Sequence, residues 1–421
     1  MKSAAIIGFG CAGFSAARAI READPDRIID IYSDTDEAPY NPMLTTYYVS
    51  GKIGERTMFP LGGLQEITRE LGVNIICSTP VKKLRAHERT LTLADGRMKQ
   101  YDDIVIATGA GAVIPPIREL PGRGIYTMRT ASDARRLERA LDDSVKSAVV
   151  VGAQMVGIKV VELLNARGVR VVFADMEKQL FPASAYESTA NVIAARLQSA
   201  GIELKLGTAV NGVKDEGDAL TVSFSDGAEV SADIVVFCSG IRPNLDFVDR
   251  DELDVGTGIR TNLRMETSVP HIYAAGDCCE TLNILTGKNA YIGLWANSSI
   301  QGRVAGHSAA GVEDSYPGNL IHNMTHYMDT DFISVGDVKV GGKRVFWESA
   351  RAGWRMEATL DAGKIVALNI LDNAGVSGPV KNILLHQAAH PGEKISAAAK
   401  LILSRGGMPD DIIKALGGEN A

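Results

Sequence analysis

Glycines at fixed spacing are the residues of this chain whose pattern points most directly to chemistry. Gly8-Phe-Gly10-Cys11-Ala12-Gly13 follows the apolar run Ser3-Ala-Ala-Ile-Ile and leads into Phe14–Glu22, which has helical spacing. A second apolar run, Ile28–Ser33, completes strand, turn, helix and strand, the pattern of a dinucleotide-binding βαβ unit. Gly8 permits the tight turn, Gly10 lets the backbone approach a pyrophosphate, and Gly13 lets helix and strand pack closely. The helix N-terminus offers its unbonded N–H groups to the phosphates. A turn that serves packing alone is the competing reading. Ser33, Asp34 and Asp36 lie about 20 residues past the glycines, where an acidic or hydroxyl side chain can bind ribose. An acidic surface turn is the alternative for Asp36.

The pattern returns further on. Ser147–Val151 reads as a strand, Gly152-Ala-Gln154-Met-Val156-Gly157 as its turn, Ile158–Arg167 as a helix stopped by Gly168, and Val169–Asp175 as the next strand. Asp175 ends that strand, where a carboxylate accepts both ribose hydroxyls. Two such turns imply two nucleotide cofactors, or one cofactor and a relic.

The elements needed to position these residues fit within 421 residues, enough for two or three domains. Apolar content of 45% and charged content of 23% are those of a globular protein without membrane spans. A net charge of −7 and the lack of a long basic run argue against a nucleic-acid partner. The five cysteines (Cys11, Cys77, Cys238, Cys278, Cys279) form no CxxC spacing, which fits a reducing cytoplasm and implies neither disulfides nor a zinc site. The apolar N-terminus could pass for a signal peptide, but glycines interrupt it.

Val73–Cys77, Leu91–Leu93 and Tyr101–Ala110 read as further strands, and Pro115-Pro116 with Pro121-Gly122 as a linker. Ala232–Asn244 and Thr267–Asp277 carry strands ending in small residues, and Asn297–Ala310 reads as a helix. Past Pro317-Gly318, Asp331–Val340, Arg344–Glu348, Trp354–Leu360 and Lys364–Leu371 form a meander, with helices at Lys381–Leu385 and Ile395–Leu403. The expected fold is α/β: two Rossmann-like dinucleotide-binding domains and a C-terminal α+β interface domain. The expected bounds are 1–115 and 246–316 for the first dinucleotide-binding domain, 116–245 for the second and 317–421 for the interface domain. His322 and His326 have the i, i+4 spacing of a helical metal pair, but no third ligand is evident, so a structural role and no metal site are expected.

Five motifs in order resemble the two-dinucleotide flavoprotein reductases, the pyridine nucleotide-disulfide oxidoreductase superfamily. They are Gly8-x-Gly10-x-x-Gly13, Ala107-Thr108-Gly109, Gly152-x-x-x-x-Gly157, Gly240-x-Arg242-Pro243-Asn244 and Ala275-Gly276-Asp277. Tyr40-Asn-Pro-Met-Leu-Thr-Thr46-Tyr47 and the C-terminal meander look like the rubredoxin reductase and nitrite-reductase flavin-domain branch. The resemblance implies FAD over Gly8, Gly10, Cys11, Ala12 and Gly13, with Asp277 and Gly276 at the ribityl and phosphate region, Val81 at the adenine and Arg129 near the flavin. Thr46 and Tyr47 fall in the flavin loop. It implies NAD over Gly152, Gln154, Val156 and Gly157, with Asp175 on the ribose and Gly240 nearby. Met176, rather than an arginine, follows Asp175, which favours NAD over NADP.

The departures from that family carry as much information. Dithiol members place redox cysteines in the segment near 41–47; this chain has none between Cys11 and Cys77. Cys278-Cys279 reads as two packed thiols at a turn, with a strained vicinal disulfide as the alternative. Cys11 reads as a buried filler, at a helix N-terminus that lowers a thiol pKa. Tyr47 stands where the branch tends to have lysine, and Lys159 where it has glutamate. Tyr47 and Lys159 are therefore the candidate catalytic side chains, Lys159 to stabilise charge on reduced flavin, with a solvent-facing lysine as the alternative. Gln154, in place of the middle glycine, crowds the NAD pyrophosphate. The expected activity is an FAD-dependent NAD(H) oxidoreductase, by hydride transfer at flavin N5, with an external iron–sulfur protein or subunit as electron partner. Similarity extends to the NAD-reducing flavin subunits of phenylglyoxylate-type 2-oxoacid oxidoreductase complexes. A stand-alone NADH oxidase and a flavin-bearing assembly or sensor subunit are the alternatives, and a homo-oligomer is compatible with each.

Overall fold

The computed structural model describes residues 1–349, 353–390 and 392–417. The chain forms two compact units: Met1–Gly111 with Arg129–Ala131 and Ile241–Asn319, and Ala112–Met128 with Ser132–Gly240 and Leu320–Ala421.

The elements that build the sites run as follows. β1 (Ser3–Ile7), α1 (Cys11–Ala23), β2 (Ile28–Tyr32), β3 (Asn74–Ile76) and β4 (Asp103–Ile106) come first. β5 (Ile125–Thr127), β6 (Ser147–Val151), α2 (Met155–Ala166), β7 (Arg170–Asp175), β8 (Glu203–Leu206) and β9 (Ile234–Phe237) follow. β10 (Ile272–Ala274) and α3 (Trp295–Ala310) return to the first unit. The C-terminal sheet comprises β11 (His322–Tyr327), β12 (Thr330–Gly336), β13 (Lys343–Ser349), β14 (Trp354–Asp361) and β15 (Lys364–Leu371).

In the first unit the parallel order is β10-β4-β1-β2-β3. β1 is central, with β2 on one side and β4 on the other. The strand order therefore reverses beside it, opening a crevice at the carboxyl ends. Ala4, Ala5, Ile6, Ile104, Val105 and Ile106 are fully buried, which is why these strands read as unbroken apolar runs. α1 and α3 pack through small residues. A Cβ at Gly302 would sit 2.2 Å from Ala12 O, and one at Gly306 2.4 Å from Ala16 O. This close approach brings the start of α3 against the glycine turn.

The second unit repeats the plan, with parallel order β8-β7-β6-β9-β5. It also contains the C-terminal antiparallel sheet, ordered β11-β12-β15-β14-β13. Sequence reading drew that segment as a domain of its own; the structure binds it to the middle of the chain through buried polar bonds. Tyr186 Oη and Thr359 Oγ1 are 2.6 Å apart, Asn369 Oδ1 accepts the Tyr186 N–H at 2.8 Å, and Ser334 Oγ donates to Ser184 O at 2.7 Å. Contacts between residues some 150 positions apart leave no mark on local pattern.

His322–Tyr327 is a strand, not a helix. Residues four apart along a strand share a face but stand about 13 Å apart, so His322 and His326 do not converge. His322 Nε2 instead meets Ser377 Oγ at 2.9 Å, and His326 Nδ1 meets Asp331 Oδ1 at 2.8 Å. Among the described residues no group of histidine, cysteine or acidic side chains is arranged to hold a metal, and no helix is long and apolar enough to cross a membrane.

Candidate functional site

The first turn is built so that only glycine fits where it bends. Gly8 has φ +100°, and a Cβ there would lie 2.3 Å from Ala107 O; one at Gly13 would lie 2.2 Å from Gly8 O. Gly10 is different: nothing lies within 4 Å of its would-be Cβ. The turn is thus closed toward the protein at Gly8 and Gly13 and open at Gly10, where a pyrophosphate needs room. The first intrahelical bond runs from Phe14 N–H to Gly10 O at 3.0 Å. The N–H groups of Cys11, Ala12 and Gly13 precede it and form the positive end of the helix dipole.

Opposite this turn, Gly276 (φ +84°) would place a Cβ 3.0 Å from Ala12 Cβ, so the Gly276-Asp277 segment lies directly on α1. Asp277 Oδ2 accepts from Arg129 Nη2 at 2.7 Å, and Arg129 Nε donates to Ala110 O at 3.1 Å. Both side chains are largely buried, so the guanidinium offsets the carboxylate where water does little. Ser298 Oγ lies 3.5 Å from Asp277 Oδ1 and, nearer, 3.2 Å from Leu294 O. Behind them Gln301, 1% exposed, accepts the Gly276 N–H at 2.8 Å and donates to Thr281 Oγ1 at 2.9 Å. Ser298 and Gln301 were not among the sequence candidates, since α3 also carries Asn297, Ser299, Arg303 and His307 and nothing local sets these two apart.

The other first-unit candidates are placed as follows. Ala107 is buried; Thr108 Oγ1 donates to Asn244 O at 2.8 Å while Asn244 Nδ2 donates to Thr108 O at 3.0 Å, a reciprocal tie between two of the motifs. Gly109 (φ +63°) has open space around its would-be Cβ. Ser33 is 4% exposed, and its Oγ accepts the Thr35 N–H at 3.2 Å, while Asp34 and Asp36 are exposed. Thr46 is buried on the short helix Thr45–Val49 and Tyr47 half-buried, with Lys52 Nζ 6.0 Å from its ring centroid. Val81 is half-buried in an antiparallel three-stranded sheet.

Cys11 is buried, as a filler is expected to be, and burial pushes its thiol up to about 11 rather than down. Cys278 donates to Ala275 O at 3.2 Å and Cys279 to Gly276 O at 3.3 Å, both fully enclosed and free. They are packed thiols.

In the second unit Gly152 (φ +111°) would place a Cβ 2.3 Å from Cys238 O, and Gly157 one 2.0 Å from Gly152 O. The construction matches the first turn. Gln154 caps α2 with φ −117° and ψ −172°, extended backbone open to any residue, so the missing glycine introduces no strain. Val156 is exposed on the first turn of α2, and Gly240 (φ +107°) has open space. Asp175, 9% exposed, accepts the Ala153 N–H at Oδ2 (2.6 Å) and the Glu177 N–H at Oδ1 (2.9 Å). Both bonds fix the carboxylate, and each oxygen keeps a lone pair for a ribose hydroxyl. Lys159 is not solvent-facing: its side chain is 12% exposed and its ammonium donates to Glu162 Oε2 and, at 2.6 Å, to His326 O. Tyr47 and Lys159 belong to different units.

The residues present fit the two nucleotides. Each unit has a turn that is closed where it must bend, a helix N-terminus facing the open side, and a carboxylate fixed nearby. Comparisons agree. Residues 2–302 match the family model described as pyridine nucleotide-disulphide oxidoreductase. An "NADH oxidase" of Methanocaldococcus jannaschii is 29% identical over 80% of this chain and 75% of that protein. The "NADH-dependent phenylglyoxylate dehydrogenase subunit epsilon" of Aromatoleum evansii is 29% identical over 85% of each. The solved water-forming NADH oxidase from Lactobacillus brevis shares the fold, with a TM-score of 0.86 and 20% identity over 97% of this chain and 99% of that one. The chain belongs to the pyridine nucleotide-disulphide oxidoreductase family, as an oxidoreductase that uses FAD and NAD(H).

Proposed function

We propose that this chain passes electrons between NAD(H) and an external iron–sulfur protein or subunit. FAD bound at the first turn supplies the exchange between two-electron hydride chemistry and one-electron transfer. The observation that carries the reading is where the thiols lie. The flavin-loop segment Tyr40–Tyr47 has no cysteine, Cys278 and Cys279 are enclosed, and the burial of Cys11 keeps it protonated. No thiol relay of the dithiol kind is available in the chain, so the second electron partner lies outside it. Gly8, Gly10 and Gly13 hold the FAD pyrophosphate, and the Arg129–Asp277 pair orients its ribityl side. Gly152, Gly157 and Asp175 hold NAD(H). The Aromatoleum relative, a dehydrogenase subunit by name, supports assignment to a complex of the 2-oxoacid oxidoreductase type.

A stand-alone NADH oxidase is the second reading, favoured by the Methanocaldococcus relative. One experiment separates them. The FAD-loaded chain is reduced anaerobically with NADH and then mixed with oxygen or with a [2Fe–2S] ferredoxin. Fast reoxidation by the ferredoxin and slow reoxidation by oxygen is expected; the reverse order overturns the proposal, and failure of NADH to bleach the flavin would favour an assembly or sensor role.

A further inference from the structure

The ammonium of Lys159 is committed to a contact that the expected role at reduced flavin does not explain. On α2 it donates to Glu162 Oε2, one turn on, and to the carbonyl of His326 at 2.6 Å. The other oxygen of the same carboxylate, Glu162 Oε1, accepts the Met328 N–H at 3.4 Å. The Lys159 and Glu162 side chains are 12% and 15% exposed, while the bond to the His326 carbonyl lies at the surface. All four lie in the second unit.

The hairpin end they hold is unusual in two ways. Among the described residues β11 is an edge strand, paired with β12 alone. Tyr327 and Thr330 flank the two-residue turn, so the next pair, His326 and Asp331, is the wide pair of the ladder. The His326 carbonyl therefore points off the edge, where it needs a partner, and Lys159 supplies one. The turn itself is Met328-Asp329, with φ +40° and +59°. Two consecutive non-glycine residues in the left-handed region cost about 1–2 kcal/mol each and persist only when neighbours fix them. Glu162 does so on one side. On the other, Arg196 Nη1 donates to Thr330 Oγ1 at 3.0 Å and pairs with Asp372.

α2 is the helix whose first residues complete the Gly152–Gly157 turn. Lys159 lies two residues past Gly157, so the clamp fixes the helix within a turn of its nucleotide-binding end. We infer that Lys159 and Glu162 are positioning residues that couple the strained β11–β12 hairpin to the nicotinamide-nucleotide turn, making NAD(H) binding and hairpin order mutually dependent. This rests on the reading of the second turn as the NAD(H) site. By reciprocity, bound NADH must tighten the hairpin as much as the clamped hairpin tightens NADH binding.

The test uses the FAD-loaded full chain, with NADH titrated anaerobically and amide hydrogen exchange followed at residues 322–331. In the native chain NADH is expected to slow exchange across the hairpin. Lys159→Met is expected to abolish that protection and weaken NADH binding about 2- to 30-fold, the range carried by such networks, with the flavin midpoint potential unchanged. Lys159→Arg should restore both. The charge exchange Lys159→Glu with Glu162→Lys keeps an ion pair but sets a carboxylate against the His326 carbonyl. It should not restore binding; if it does, the ion pair alone is what matters and the inference fails. Native-chain NADH binding without hairpin protection also overturns it, as does a flavin potential that moves in Lys159→Met. Failure of the native chain to bind NADH at all would instead remove the NAD(H) site itself, and the inference with it.

Discussion

Gly302→Ala isolates the packing that assembles the Gly8–Gly13 turn, the proposed FAD site. The added Cβ would lie 2.2 Å from Ala12 O and 2.9 Å from the Ala12 carbonyl carbon and Cα, all backbone atoms that no rotamer change can move aside. Ordinary contact begins near 3.4 Å, so α1 and α3 must part by about 1 Å. Overpacking of this kind costs about 1–3 kcal/mol. At about 2–4 °C per kcal/mol for a unit of this size, the melting temperature should drop by several degrees. The displacement is not neutral for the site, because Ala12 belongs to the turn and Gln301 on α3 holds Gly276. FAD content after purification and the FAD dissociation constant should therefore worsen together with the melting temperature. Gly54→Ala, at φ −78° with open space around it, is the control and should leave both unchanged. A Gly302→Ala chain that melts and binds FAD like the native one would refute the argument that small-residue contact between α1 and α3 sets the turn.

Three further outcomes follow from the same geometry. Asp175→Ala removes the acceptor for the Ala153 and Glu177 N–H groups; NADH binding by isothermal titration should weaken at least tenfold, with FAD content unaffected. Arg27→Leu leaves Asp103 buried without its guanidinium partner; breaking one side of a buried pair costs about 3–5 kcal/mol, read as a lower urea midpoint of unfolding. His322 is pushed down to about 4 by burial and then by nearby Lys381. The folded chain thus resists a proton that the unfolded chain takes up near 6.5. Its contribution is whole above 6.5 and is lost as pH falls toward 4. Urea unfolding at pH 7 and pH 5 should show a loss of stability that His322→Gln reduces.

Much of the site was legible because its physics is local. Gly8, Gly13, Gly152 and Gly157 are demanded by turns a few residues long, and Asp175 and Asp277 close strands whose apolar runs are unmistakable. The fate of Lys159 was not legible. In the sequence it is a lysine in a glutamate's usual place; besides Glu162 on its own helix, it donates to a backbone carbonyl 167 residues away. The same limit hid Gln301 behind Asp277, and the i, i+4 spacing of His322 and His326 did not reveal that a strand carries them.

By itself, then, the sequence determined two glycine turns, their strands and helices, and the absence of a cysteine from residues 40–47. Those depend on backbone conformation and residue type within a short window. The tertiary structure decided which helices touch through glycine, which carboxylates are held and by what, that the C-terminal sheet joins the second unit, and that Lys159 is tied to the β11 edge. Each of these depends on atoms brought together from distant parts of the chain, and no local pattern encodes such contacts.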